Sequence, residues 1–263
     1  MLRDLACLLL SSLLLVSPAM AADMRGRVEL PPAPELETEV GLASGWYLRG
    51  DIGYVMNRDP EGNGMLPGGA IRSFESERLG RSLSGGLGIG YKFNNWFRAD
   101  ITGDIRSEAK FRATNSGSNY QEGYSIENAK LNVSTALVNG YLDLGSWNGV
   151  SPYVGAGIGI AAREISKWNG QGYGLPGNYG CGATTCAIEG ATTTIPKTNK
   201  TGMAWALMGG VTVALSEGFA LDFGYRYIDF GDIATKADPY GVSAKVKDLT
   251  ASEFRAGVRY TFQ

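Results

Sequence analysis

From Phe254 to Phe262 the chain alternates without a break. Phe254, Ala256, Val258, Tyr260 and Phe262 share one face, and Arg255, Gly257, Arg259 and Thr261 share the other. A period of two is what a β-strand shows when its faces meet different surroundings. Seven further stretches repeat the pattern. "WYLRGDIGYVMN" sets Trp46, Leu48, Ile52, Tyr54 and Met56 against Tyr47, Arg49, Asp51, Val55 and Asn57. "SLSGGLGIGYKF" sets Leu83, Leu87, Ile89, Tyr91 and Phe93 against serines, glycines and Lys92. Asn94-Asn95 then leads into "WFRADITGDIR", where Phe97, Ala99, Ile101 and Ile105 oppose Arg98, Asp100, Thr102, Asp104 and Arg106. An Asn-Asn step between alternating runs is a hairpin signal. The others are "STALVNGYLDL", "PYVGAGIGIAAR", "MAWALMGGVTVAL" and "FALDFGYRYIDF".

The connections alternate too. Asn94-Asn95, "GSWNGVS" and "SEGF" are short, whereas 58–81, 107–131, 164–202 and 229–248 are long and polar. A compact soluble domain rarely carries four long loops at one end. An even-stranded membrane barrel has long external loops and short periplasmic turns. The pattern therefore predicts an all-β, eight-stranded antiparallel transmembrane β-barrel over 45–263, with both ends of the barrel chain on the periplasmic side.

Charge separates lipid from a dry protein interior. The less apolar face carries Arg49, Lys92, Arg98, Arg106, Arg163, Arg226, Arg255 and Arg259, together with Asp51, Asp100, Asp104, Asp143, Asp222 and Glu253. Unpaired in a sandwich core, each would cost several kcal/mol. A polar lumen accommodates them. The apolar face, rimmed by Trp46, Trp96, Tyr153, Tyr227 and Tyr260, then meets hydrocarbon. Eight strands enclose a space that side chains fill, so a salt-bridged lumen is favoured. Arg226 with Asp222, and Arg98 with Asp100 and Asp104, are expected members, although spacing along a strand does not assign partners across the lumen.

Upstream, Leu5–Val16 is an apolar run between Arg3 and the small-residue site Ala19-Met20-Ala21. This reads as a secretory signal peptide over 1–21; the run is too short for a membrane-spanning helix. Residues 22–44, with "VELPPAPELETEVG", read as an extended periplasmic linker of polyproline II character. Cys7 leaves with the signal, so Cys181 and Cys186 remain, in "CGATTC" within the longest loop. An exported chain meets an oxidising compartment, which makes a disulfide the expected state.

At this point the residues resemble a family. Arg255, Gly257, Tyr260 and Phe262 match the terminal signal by which the insertion machinery recognises outer-membrane barrels, with Gln263 following where the aromatic usually ends the chain. "NGYLDLG", "PYVGAGIGIA" and "FGYRYIDFG" resemble the small outer-membrane β-barrel proteins of alphaproteobacteria, porin-like and opacity-type proteins related to OmpA-type barrels. The resemblance implies an eight-stranded barrel in the bacterial outer membrane, in contact with lipid and lipopolysaccharide. It also implies roles in envelope integrity, adhesion to a host or surface ligand through the loops or, in some members, haem binding.

The chemistry that is missing narrows the function. There is no histidine, so Ser–His and Cys–His nucleophiles lack their usual base, and no enzyme is expected. The glycine runs "GGLGIGY" and "GAGIGIA" continue as strands, whereas a dinucleotide fingerprint needs a following helix. A formal net charge of −2, with both signs intermixed, points to no nucleic-acid partner. Two cysteines without histidine make no zinc site, and no cofactor is expected. Two alternatives stay open: a narrow, weakly selective channel, and haem or small-ligand binding through Tyr173, Tyr179 or Met65, tyrosine being an alternative haem ligand where histidine is absent.

Overall fold

The computed structural model describes residues 44–65, 69, 71–116, 123–176, 181–182, 184–239 and 241–262. The expected signal peptide and, apart from Ser44, the linker lie outside the described residues. In chain order the strands are β1 (Gly45–Asn57), β2 (Glu61–Met65), β3 (Ile71–Ser73), β4 (Glu75–Leu79), β5 (Ser82–Lys92), β6 (Phe97–Arg106), β7 (Ala109–Ser116) and β8 (Gly123–Asp143). They continue as β9 (Val150–Gly174), β10 (Cys186–Ile195), β11 (Thr198–Ser216), β12 (Phe219–Asp229), β13 (Ile233–Ala234), β14 (Ser243–Lys247) and β15 (Thr250–Thr261).

Eight of these close a ring in the order β1-β5-β6-β8-β9-β11-β12-β15 and back to β1, antiparallel throughout. Closure satisfies the ladder groups that an open sheet would leave bare in hydrocarbon. Alternation sets which side chains face out: Ile52, Leu87, Ile105, Ile158 and Met203 are exposed on the outer surface. Aromatic residues collect at its short-turn end, where Trp46 meets Tyr91, Phe93 meets Phe97, and Phe219 meets Tyr260 with ring centroids 5.4, 5.3 and 4.7 Å apart. Tyr153, expected on this rim, instead lies buried inside. It stands one residue from the lipid-facing Val154, and the pleat sends neighbours to opposite faces.

The short turns follow from local chemistry. At 93–96 the Asn94 side chain accepts from the Trp96 and Phe97 amides at 3.0 and 2.8 Å. The β11–β12 turn uses Gly218 at φ 88°, where a Cβ would press on the Thr261 carbonyl.

The long connections differ from the polar loops expected. β8 and β9 run 21 and 25 residues, about twice the ~9–11 that span a bilayer. Their overhang pairs with β7 and β10, and β7 pairs with β4. A second sheet, ordered β13-β14-β2-β3, is built from the first and last long connections. Phe74, Phe111 and Trp168 pack together in this dome, with centroids 5.5–6.4 Å apart. One apolar cluster runs from these rings down to Val55, Ile228, Phe230, Leu249 and Ala251 inside the upper barrel. The loops are therefore an extension of the barrel with its own core.

Candidate functional site

The inward faces of the barrel strands bring the expected charges into one enclosed lumen, in layers that rise from the short-turn end to the level of Val55. On β1, Arg49 forks onto Asp51 at 2.7 Å and reaches Asp100 of β6 at 3.1 Å. The Tyr47 hydroxyl and Asn139 also donate to Asp100, at 3.0 and 2.7 Å. Arg98 meets Asp143 at 3.1 Å, and its guanidinium lies 4.3 and 4.7 Å from the ring centroids of Tyr141 and Tyr153. Asp222 accepts from Thr212 at 2.5 Å and pairs with Arg259 at 3.4 Å.

One layer further in, Glu253 is the hub. It accepts from Arg106 Nε at 2.7 Å and from Arg226 Nε at 2.7 Å. Asp104 joins Arg226 at 2.9 Å and Arg255 at 2.8 Å, and Arg255 reaches Asp51 at 3.3 Å. Burial keeps these pairs from being screened by water and leaves few ways to reorganise. Arg163 stands apart, donating to the carbonyls of Phe230 and Asp232 at 2.6 Å.

The lumen supplies the partners that spacing along a strand left open: Arg226 bonds Asp104 and Glu253, and Arg98 bonds Asp143. Residues four apart on one strand are about 13 Å apart, whereas opposite walls of so narrow a lumen interdigitate. A cavity of about 20 Å³ remains among Arg49, Asp51, Tyr141, Tyr153, Asp222 and Arg226, room for about one water. Above it come Asp104, Glu253 and Arg106, and beyond them the lumen fills with the apolar cluster.

Gly257 lies where an added Cβ would strike the Asp51 carboxylate. Tyr260 and Phe262 face outward, 5.1 Å apart. In the dome, Cys181 and Cys186 are disulfide-bonded. Tyr173 stacks on Tyr124 with centroids 5.3 Å apart, while Met65 sits in the other sheet opposite Ser243 and Ile71; Tyr179 lies outside the described residues. Among the described residues no cluster of acidic or cysteine side chains is arranged to hold a metal. On the dome's outer surface Lys130 donates to Glu108. That bond holds the Glu108 carboxyl below its ordinary value and the Lys130 ammonium above its own.

Sequence reading missed Glu127 and Trp168. The buried Glu127 carboxylate accepts from the Trp168 indole at 2.8 Å and from Ser125 at 2.9 Å. Alternation through "AKFRATN" and "SIENAKLNV" was the available signal.

The comparisons with known proteins agree with this architecture. The family model for the outer membrane protein beta-barrel domain matches residues 7–262. An uncharacterised protein of Brucella suis biovar 1 is 28% identical over 94% of this chain and 94% of its own length. Outer membrane protein PagN of Salmonella typhimurium is 23% identical over 68% of this chain and 73% of its own. A Rickettsia felis protein named as a candidate adhesin is 27% identical over 84% of this chain and 89% of its own. The solved structure of outer membrane protein OprG from Pseudomonas aeruginosa shares the fold at 16% identity, with a TM-score of 0.51, over 85% of this chain and 99% of that one. With an apolar belt, a closed eight-stranded ring and a family match over nearly its whole length, this chain belongs to the outer membrane protein beta-barrel domain family and resides in the bacterial outer membrane.

Proposed function

We propose that the chain is a surface-interaction protein whose closed barrel anchors a rigid dome outside the cell. The observation that carries this reading is the filling of the lumen at two levels. Buried Arg–Asp and Arg–Glu pairs run from the short-turn end through the middle of the barrel to Arg106 and Glu253, where they meet the apolar cluster that continues up into the dome. A conducting pore needs a continuous wet path, and the cavity among the charges holds about one water. The barrel serves as a mount, and contact falls to the dome.

The names of the PagN and Rickettsia relatives support a role at the surface. The absence of histidine supports a role without catalysis. Export through a cleaved segment ending at Ala21, and recognition by the insertion machinery through Arg255, Gly257, Tyr260 and Phe262, belong to the same reading.

The test is labelling of intact cells with a membrane-impermeant maleimide. Asn169→Cys, exposed on the dome, should react; Asn95→Cys, exposed in the first short turn, should react only after lysis. The reverse pattern would overturn the orientation.

A further inference from the structure

The dome's outer face breaks a rule of sheet stability. In the register of β4, β7 and β8, Arg78 stands directly opposite Arg112, and Lys110 directly opposite Lys130. Like charges facing across a ladder destabilise the pair. The next strand adds Lys167, exposed at a bulge with φ 52°. Arg78, Lys110, Arg112 and Lys167 form no salt bridge with any described carboxylate; on this strip only Lys130 does, with Glu108. Phe111, Ala113, Ala129 and Leu131 of the same strands are buried on the other face. The packed core therefore fixes the register of these strands and keeps the cations on the outer face.

Height says what they meet. Ile105, exposed on the apolar belt, pairs with Ser134 of β8. Lys130 lies four residues further along that strand, about 13 Å along it and about 10 Å along the barrel axis at a tilt of about 40°. That is the level of lipid headgroups. Clustered Lys and Arg at such a level attract anionic headgroups.

We propose that the outer face of β4, β7, β8 and β9, through Arg78, Lys110, Arg112, Lys130 and Lys167, binds the phosphate groups of outer-leaflet lipopolysaccharide. The phosphates relieve the opposed charges, and the glycolipid grips the dome from the side. This deepens the surface reading and rests on its outward orientation.

Refolded full-length protein in non-ionic detergent, titrated with purified rough-type lipopolysaccharide, tests it independently of orientation. The parallel titrants are the same glycolipid with its phosphates removed enzymatically, and heparin. Expected is salt-sensitive binding, at least tenfold weaker without phosphate and about 30-fold weaker in Lys110→Gln/Arg112→Gln. Both side chains are exposed, so the variant should keep its heat-dependent gel shift. If it does not, Arg78→Gln and Lys167→Gln carry the test singly, each expected to weaken binding about fivefold. Equal affinity for the dephosphorylated glycolipid, or unchanged affinity in folded variants, would overturn the proposal. Heparin binding tighter than lipopolysaccharide and lost in the same variants would also overturn it, making the occupant a soluble sulfated polymer. Failure of the maleimide pattern with this binding intact would sink the orientation alone.

Discussion

Replacing Glu253 by glutamine removes one negative charge from the middle of the barrel and keeps the side chain's shape. Glu253 is fully buried. It is the only carboxylate among the described residues bonded to Arg106, whose remaining partners are the Thr135 hydroxyl at 3.3 Å and the Phe230 ring at 4.7 Å. Arg226 and Arg255 keep Asp104. The variant thus leaves about one buried guanidinium uncompensated, a defect that costs about 3–5 kcal/mol, or a hundredfold to several thousandfold in the folding equilibrium. Adding Arg106→Met removes the orphaned cation and should recover most of that loss, since a buried pair replaced by apolar groups is often neutral. Glu164→Gln, which breaks a pair with Lys197 in which the glutamate side chain is 35% and the lysine 60% exposed, should cost about 0–1 kcal/mol. Reversible urea unfolding in lipid vesicles, followed by tryptophan fluorescence, measures all three. A Glu253→Gln cost no larger than that of Glu164→Gln would refute the network's structural role. So would a double variant no more stable than the single one.

Further consequences follow from other parts of the molecule. Trp168→Phe strips the indole donor from buried Glu127 and should destabilise the dome by about 1–3 kcal/mol, visible as faster amide exchange in β7–β10 with the membrane belt unchanged. Reduction of the Cys181–Cys186 bridge, whose partners are 5 residues apart, should cost about 2 kcal/mol locally; limited proteolysis should speed up there while the gel shift persists. Gly90→Val would drive a side chain into the Tyr47 ring and the Ala99 carbonyl, and should abolish the gel shift.

How much of this was legible beforehand differs by level. The period of two in "FRAGVRYTFQ" and its counterparts located the membrane belt, because lipid on one side and charge on the other is a strong local contrast. Tyr153 was misread by ring type, although its phase relative to Val154 already sent it inward. The overhang of β8 and β9 was hidden because Lys110, Arg112, Asn128 and Lys130 make those stretches look like polar loop. Their partners, Phe111, Ala129 and Leu131, are the core of a second layer that only the three-dimensional pairing reveals. Salt-bridge partners were illegible for a geometric reason. Arg226 and Asp104 are 122 residues apart, and they meet because of how the staggered strands close. The opposed cations of the dome likewise emerge only once β4, β7 and β8 are in register.

The most direct test of the sealed-lumen account is single-channel recording of folded protein in a planar lipid bilayer, after a gel shift has established folding. The account predicts a silent bilayer for the native chain. Steady, reproducible steps whose size changes in Asp222→Asn or Arg226→Gln would contradict it, making the charged lumen an ion path.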